Sequence, residues 1–187
     1  ALENYEKSIE VAEVSDPEIE RMMIEIRCKI LDEQIEALDP AADAQRIQEL
    51  QDEKMKLQEE GYNNILKRFP NHHETRFEYA RILADQERYD DALPQFQKVR
   101  SNPRFRDQAC MFIGTCFLNK GVPDLAIEQF QAAIDNISHM NETKKEACYR
   151  LAQCHESLGN TDQATACYKE IYQVDVDFRD VRSKIEG

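Results

Sequence analysis

Cysteine and histidine are the residue types in this chain that could ligate a metal, form disulfides or serve as nucleophile and base. Cys110 and Cys116 stand six apart, as do Cys148 and Cys154, each pair inside a helical pattern. Six residues at about 100° each leave the two members about 120° apart around a helix, so neither pair closes on itself or shares one ion. Cys28 and Cys167 complete the set, and no CxxC occurs. The spacing therefore predicts small buried thiols in a reducing cytosol, with a redox or metal site as the alternative. His72, His73 and His139 fall in predicted turns, where a solvated ring is expected. His155 follows Cys154, but helical neighbours diverge by about 100°, so a Cys/His dyad needs partners from another helix. Phosphate-cradling glycine loops, HExxH, GxSxG and calcium-loop patterns are absent from the sequence. No catalytic residue, cofactor or metal is expected, and the chain reads as a non-enzyme.

The elements that would carry any site are helical. The 187 residues hold 41% apolar and 33% charged side chains, with only 5 Gly and 6 Pro. That composition suits a helix-rich protein with a buried core. A net charge of −13 argues against a nucleic-acid partner, which needs clustered Lys and Arg. The charge is uneven: residues 1–60 carry 18 Asp/Glu against 7 Lys/Arg. No apolar run reaches the roughly 18–20 residues a bilayer requires and no leader pattern opens the chain, so no membrane insertion is expected; the acidic balance and free cysteines favour a cytoplasmic location.

One pattern is written three times, starting at Tyr79, Ile113 and Leu151. Each of these large residues precedes a small one (Ala80, Gly114, Ala152), and an alanine follows twelve positions later (Ala92, Ala126, Ala164). An aromatic stands four beyond that (Phe96, Phe130, Tyr168), then Val99, Ala133 or Ile171. The copies are offset by 34 and then 38 residues, and the four extra residues are expected in the Ser138–Lys144 connection. Apolar positions recur at threes and fours on either side of a polar break, so each copy is two helices packed through their small residues. Gly121 and Gly159 mark the turns of the last two copies. Pro94 is expected near the first turn of its helix, where few N–H groups lose a partner.

The small residue, the alanine, the aromatic and a Pro such as Pro103 together resemble the tetratricopeptide repeat (TPR), over residues 72–177 in three copies. Arg76, Cys110 and Cys148 replace the usual early Trp. The resemblance implies an all-α, right-handed superhelix of antiparallel helix pairs. It also implies a concave groove lined by the first helix of each repeat, with no catalysis. Groove positions map onto Phe77, Met111 and Tyr149 as an apolar line, with Arg81, Thr115, Gln153, Asp85, Asn119 and Ser157 as polar neighbours. These residues would bind a peptide or helix, although Phe77, Met111 and Tyr149 also read as packing residues. The family's carboxylate clamp of Lys, Asn and Arg is not reproduced.

Outside the repeats, Ala1, Tyr5 and Ser8 match a second helix, so residues 1–13 read as the end of an upstream repeat and the chain as a piece of a longer array. Residues 15–70 read as an enlarged acidic hairpin, capped by Ser15-Asp-Pro-Glu18 and running to about Leu38, then from Asp39-Pro40 to Phe69. Residues 178–187 read as a C-terminal cap through Phe178, Val181 and Ile185. The functional expectation is a non-catalytic scaffold or adaptor for a protein or peptide partner. The alternative is an architectural spacer or a homo-oligomer formed through the hairpin, sensitive to charges at Leu50 and Leu57.

Overall fold

The computed structural model describes residues 16–187; the expected upstream helix 1–13 and Ser15 lie outside the described residues. Two compact units divide the chain, with the boundary between Tyr79 and Ala80. All regular elements among the described residues are helices: α1 Pro17–Glu36, α2 Ala44–Arg68, α3 His73–Asp85, α4 Tyr89–Val99, α5 Arg106–Asn119, α6 Pro123–Asn136, α7 Glu142–Ser157, α8 Thr161–Tyr172 and α9 Val181–Glu186.

In the first unit, α1 starts where Asp16 accepts the N–H groups of Glu18 and Ile19 through Oδ1, with Pro17 in the first turn. Asp16 is the N-cap residue. The turn at Asp39 delays α2 to Ala44, four residues past Pro40, because Asp39 Oδ1 accepts from Ala41 and Ala42 N–H at 2.8 and 3.1 Å. The two helices, 20 and 25 residues long, run antiparallel. Lys54 pairs with Asp32 at one end, Arg68 with Glu20 at the other, and Gly61 faces Ile24 between them. Ile24, Cys28 and Leu31 meet Leu50, Tyr62, Ile65 and Leu66 in a thin core. The start of α3 is fastened to the same unit: Asn63 Nδ2 donates to the Tyr79 hydroxyl at 3.0 Å, and Arg76 donates to the Pro70 carbonyl. His72 is half-buried and shares a 2.8 Å hydrogen bond with Thr75 Oγ1, so it is not the solvated ring its turn suggests.

The second unit stacks helices in chain order, with α5 on α4 and α6, α7 on α6 and α8, and α9 on α8. The small–large pattern is the packing code. A Cβ added at Gly114 would lie 2.7 Å from the Phe130 ring, so the close approach of α5 and α6 requires glycine there. Ala80, Ala92, Ala126, Ala152, Phe96 and Phe130 are fully buried. Each first helix ends in one motif: Arg88, Val122 and Asn160 N–H reach back five residues to the carbonyls of Leu83, Phe117 and His155, at 2.8–2.9 Å. The residue before each donor is left-handed, with φ 60° at Glu87, 74° at Gly121 and 75° at Gly159.

Two expectations shift. The four extra residues lengthen helices rather than the connection: α6 runs three residues further than α4, α7 begins two sooner than α5, and the linker is one shorter. Asn141 caps α7 through the Lys144 N–H, and Lys144 Nζ reaches the Ile137 carbonyl, which holds the shortened link. Pro94 is the sixth residue of α4, beyond its first turn, so one helical hydrogen bond is missing on an exposed face.

Candidate functional site

The groove positions map onto the first helix of each pair. Phe77 lies in the first unit and is 5% exposed, so it packs rather than presents. In the second unit Arg81 and Asp85 are exposed, and the Arg81 guanidinium sits 5.8 Å from the centroid of the Phe112 ring. Met111 is half-buried against the cluster that contains Tyr149. Thr115 is half-buried and its hydroxyl donates to the Met111 carbonyl one turn back, while exposed Asn119 donates to the Tyr89 hydroxyl at 3.2 Å. Gln153 is half-buried and accepts from Arg150 Nη1. Because α5 and α7 also touch directly, the Met111–Thr115 and Gln153 rows lie on adjoining helices.

Tyr149 is 7% exposed and faces the C-terminal segment rather than an open groove. Its hydroxyl donates to Asp180 Oδ1 at 2.6 Å, its ring meets Phe178 edge-on at 6.2 Å, and Arg179 covers its face at 5.1 Å. Burial, and then the Asp180 hydrogen bond, push its phenol up to about 12. Lys145 bridges Asp175 and Glu142, which raises its own pKa and lowers that of Asp175. Of the three apolar groove positions read from the sequence, Met111 is the half-open one, and Lys145, Glu146 and the Phe178–Asp180 segment surround or contact Tyr149 or one another. Only the departure of Val174-Asp-Val-Asp-Phe-Arg-Asp-Val from the repeat pattern could have signalled this.

Cys110, Cys116, Cys148 and Cys154 are buried and Cys167 half-buried; all six thiols of the chain are free. Burial pushes Cys148 up to about 12, and Cys116, Cys154 and Cys167 to about 11, the reverse of what a nucleophilic thiol needs. The His155 pKa is lowered by burial. In the first unit an open cleft of about 600 Å³ runs along the hairpin, floored by Ile30, Leu31 and Leu57 and rimmed by charged side chains such as Arg46 and Lys56. Leu50, 2% exposed, belongs to the hairpin core and not to this surface. No helix among the described residues is long and apolar enough to cross a membrane.

Helix pairs with a small–large code, repeated turn motifs and half-open first helices define a helical-repeat binding protein of the α–α solenoid class. Models of the tetratricopeptide repeat match residues 60–109, 83–141 and 145–175, more than half of the sequence, and the chain belongs to that family. Repeats of this kind generally mediate protein–protein interaction and are generally non-catalytic. Among curated proteins none matches. Among solved structures, MamA is 21% identical over 74% of this chain and 79% of its own, with a TM-score of 0.63. Pseudomonas aeruginosa pilF is 15% identical over 90% of this chain and 65% of its own, at TM-score 0.67. YrrB, a TPR protein with an unusual peptide-binding site, is 17% identical over 99% of this chain and 81% of its own, at TM-score 0.66. At these identities the likeness is one of fold.

Proposed function

We propose that this chain is a non-catalytic adaptor that binds a protein segment along the first helices of its repeats. The observation that carries the reading is the direct contact of α5 and α7, which sets the half-open Met111, Thr115 and Gln153 on adjoining helices, with Arg81 and Asp85 exposed on the preceding first helix. Such a row offers one apolar contact flanked by hydrogen-bonding groups, the chemistry an extended or helical peptide requires. The peptide-binding site of YrrB on a similar fold supports the same class of ligand.

The test is selection of binders from a random peptide library. The wild-type chain is expected to enrich a family of sequences that the Arg81→Glu, Met111→Ser, Gln153→Glu variant, with unchanged helicity by circular dichroism, fails to retain. Equal retention by the variant contradicts the reading. A second reading, self-association through the hairpin, draws support from Met22, Ile30 and Met55, which are exposed apolar side chains on α1 and α2. It requires a solution mass above that of one chain, reduced by Ile30→Glu with Met55→Glu; charges at Leu50 would break the core instead.

A further inference from the structure

The stretch from Asp175 to Asp180 has no regular structure, yet it is the most heavily engaged irregular segment of the second unit. Phe178 takes the ammonium of Lys145 over its ring at 5.0 Å and meets the Tyr149 ring edge-on. Arg179 donates to Glu146 Oε2 through Nε and Nη2 at 3.0 and 2.7 Å and lies over Tyr149. Asp180 accepts from the Tyr149 hydroxyl. Three consecutive residues, one aromatic, one guanidinium and one carboxylate, each find a matched group on α7 within one helical turn.

Two groups of the receiving side have partners within α7 as well as in the segment. Glu146 is also held by Arg150 at 2.9 Å and Lys145 by Glu142, both within α7, so these two charges retain a partner when the segment leaves. The segment is held by these contacts but carries backbone strain and exposed apolar side chains of its own. Arg179 sits at φ 51°, a left-handed conformation that an L side chain adopts against steric resistance. Val174 just before it and Val176 within it, 60% and 37% exposed, turn their side chains to water. Its one completely buried anchor is Val181, on a helix of six residues.

We propose that the α7 face formed by Lys145, Glu146 and Tyr149 is a recognition site for an aromatic–arginine–carboxylate segment of a partner protein, and that Phe178-Arg179-Asp180 fills it in cis as a displaceable internal ligand. This deepens, and rests on, the assignment of the first helices as the binding surface: it names the sequence read at the C-terminal end of that surface. A tethered ligand presents an effective concentration in the millimolar range, so a partner must outcompete it or the segment must first be loosened. The site is therefore masked in the resting chain and selective when open.

The test titrates a fluorescein-labelled peptide of residues 174–186 into the full chain and follows anisotropy. Weak binding is expected to the wild type. In the full chain carrying Arg179→Glu, which loosens the internal segment and leaves every α7 residue unaltered, binding is expected at least tenfold tighter. Adding Glu146→Lys to that chain removes it, as does scrambling the peptide. The proposal is overturned if Arg179→Glu gains no affinity, or if the scrambled peptide binds equally well. Asp180→Asn, a milder loosening, is run alongside so that a folding defect in the first variant does not decide the matter, and a gain of a few-fold is expected there. The Arg81→Glu, Met111→Ser pair is expected to leave this titration unchanged, so failure here is distinguishable from failure of the wider surface.

Discussion

The hairpin of α1 and α2 and the repeats of α4 to α8 are both antiparallel helix pairs, but they are held together by different means. In the hairpin, the helices are stitched at their edges by Lys54–Asp32 and Arg68–Glu20, around a core with few buried side chains. Partly exposed pairs of that kind contribute little each, about 0–1 kcal/mol. In the repeats, small residues admit the backbone of the neighbour and large rings fill the remainder, leaving Ala126, Phe130, Ala133, Ala152 and Cys154 without solvent contact. Helix pairs that share a topology can thus differ in where their tolerance lies: the hairpin accepts change along its seam, and the repeats accept it only on their outward faces.

Alkaline titration sharpens that contrast most strongly. Five of the six thiols lie in the second unit, four of them with pKa values pushed from 9 to about 11 or 12 by burial, and Tyr149 is pushed from 10 to about 12. A group whose pKa is raised on folding contributes stability that is complete below its unfolded value and disappears as pH climbs to the folded one. The second unit is expected to lose stability steeply between pH 9 and about 12, and the first unit, with Cys28 as its raised thiol and Tyr62 as its raised phenol, less so. Hydrogen exchange resolved by segment at pH 8, 9 and 10, corrected for intrinsic rates, reads the difference; parallel loss in both units breaks the comparison.

Glycine-to-alanine changes provide the next test. At Gly114 a methyl group meets the rigid Phe130 ring, whereas at Gly61 it meets the flexible end of Ile24, with Cδ1 at 2.5 Å. Overpacking costs about 1–3 kcal/mol, while replacing a helical glycine gains about 1 kcal/mol. Gly114→Ala is expected to lower the urea midpoint and Gly61→Ala to leave it unchanged or raise it. The smallest effect is expected at Glu87, which occupies the left-handed position that Gly121 and Gly159 occupy in the other copies. Glu87→Gly relieves strain of about 1–2 kcal/mol, partly offset by the entropy of a freer unfolded chain, so a stabilisation of about 1 kcal/mol is expected in chemical denaturation.

Much of this was legible in the sequence because the repeat announces itself three times: the small residues, the alanines and the aromatics all sit where their spacing places them. The Glu87 conformation was legible too, since it stands 34 residues before Gly121, although composition alone hides it. The start of α2 was not, because a single Asp39 side chain turns helix-forming residues into a capped turn. Nor was the segment that covers Tyr149, although packing was one reading of that residue. The family resemblance places it on the groove face, but its cover comes from an irregular segment about thirty residues on, whose fold-back follows no periodicity.

Hydrogen exchange of the full chain, with and without a peptide selected from the library, tests whether the first helices of the repeats form the binding surface. Slowed exchange concentrated in α5 and α7, around Met111–Thr115 and Tyr149–Gln153, is the predicted result. Protection confined to residues 17–68, with the repeats unchanged, would contradict it and move the binding surface to the hairpin.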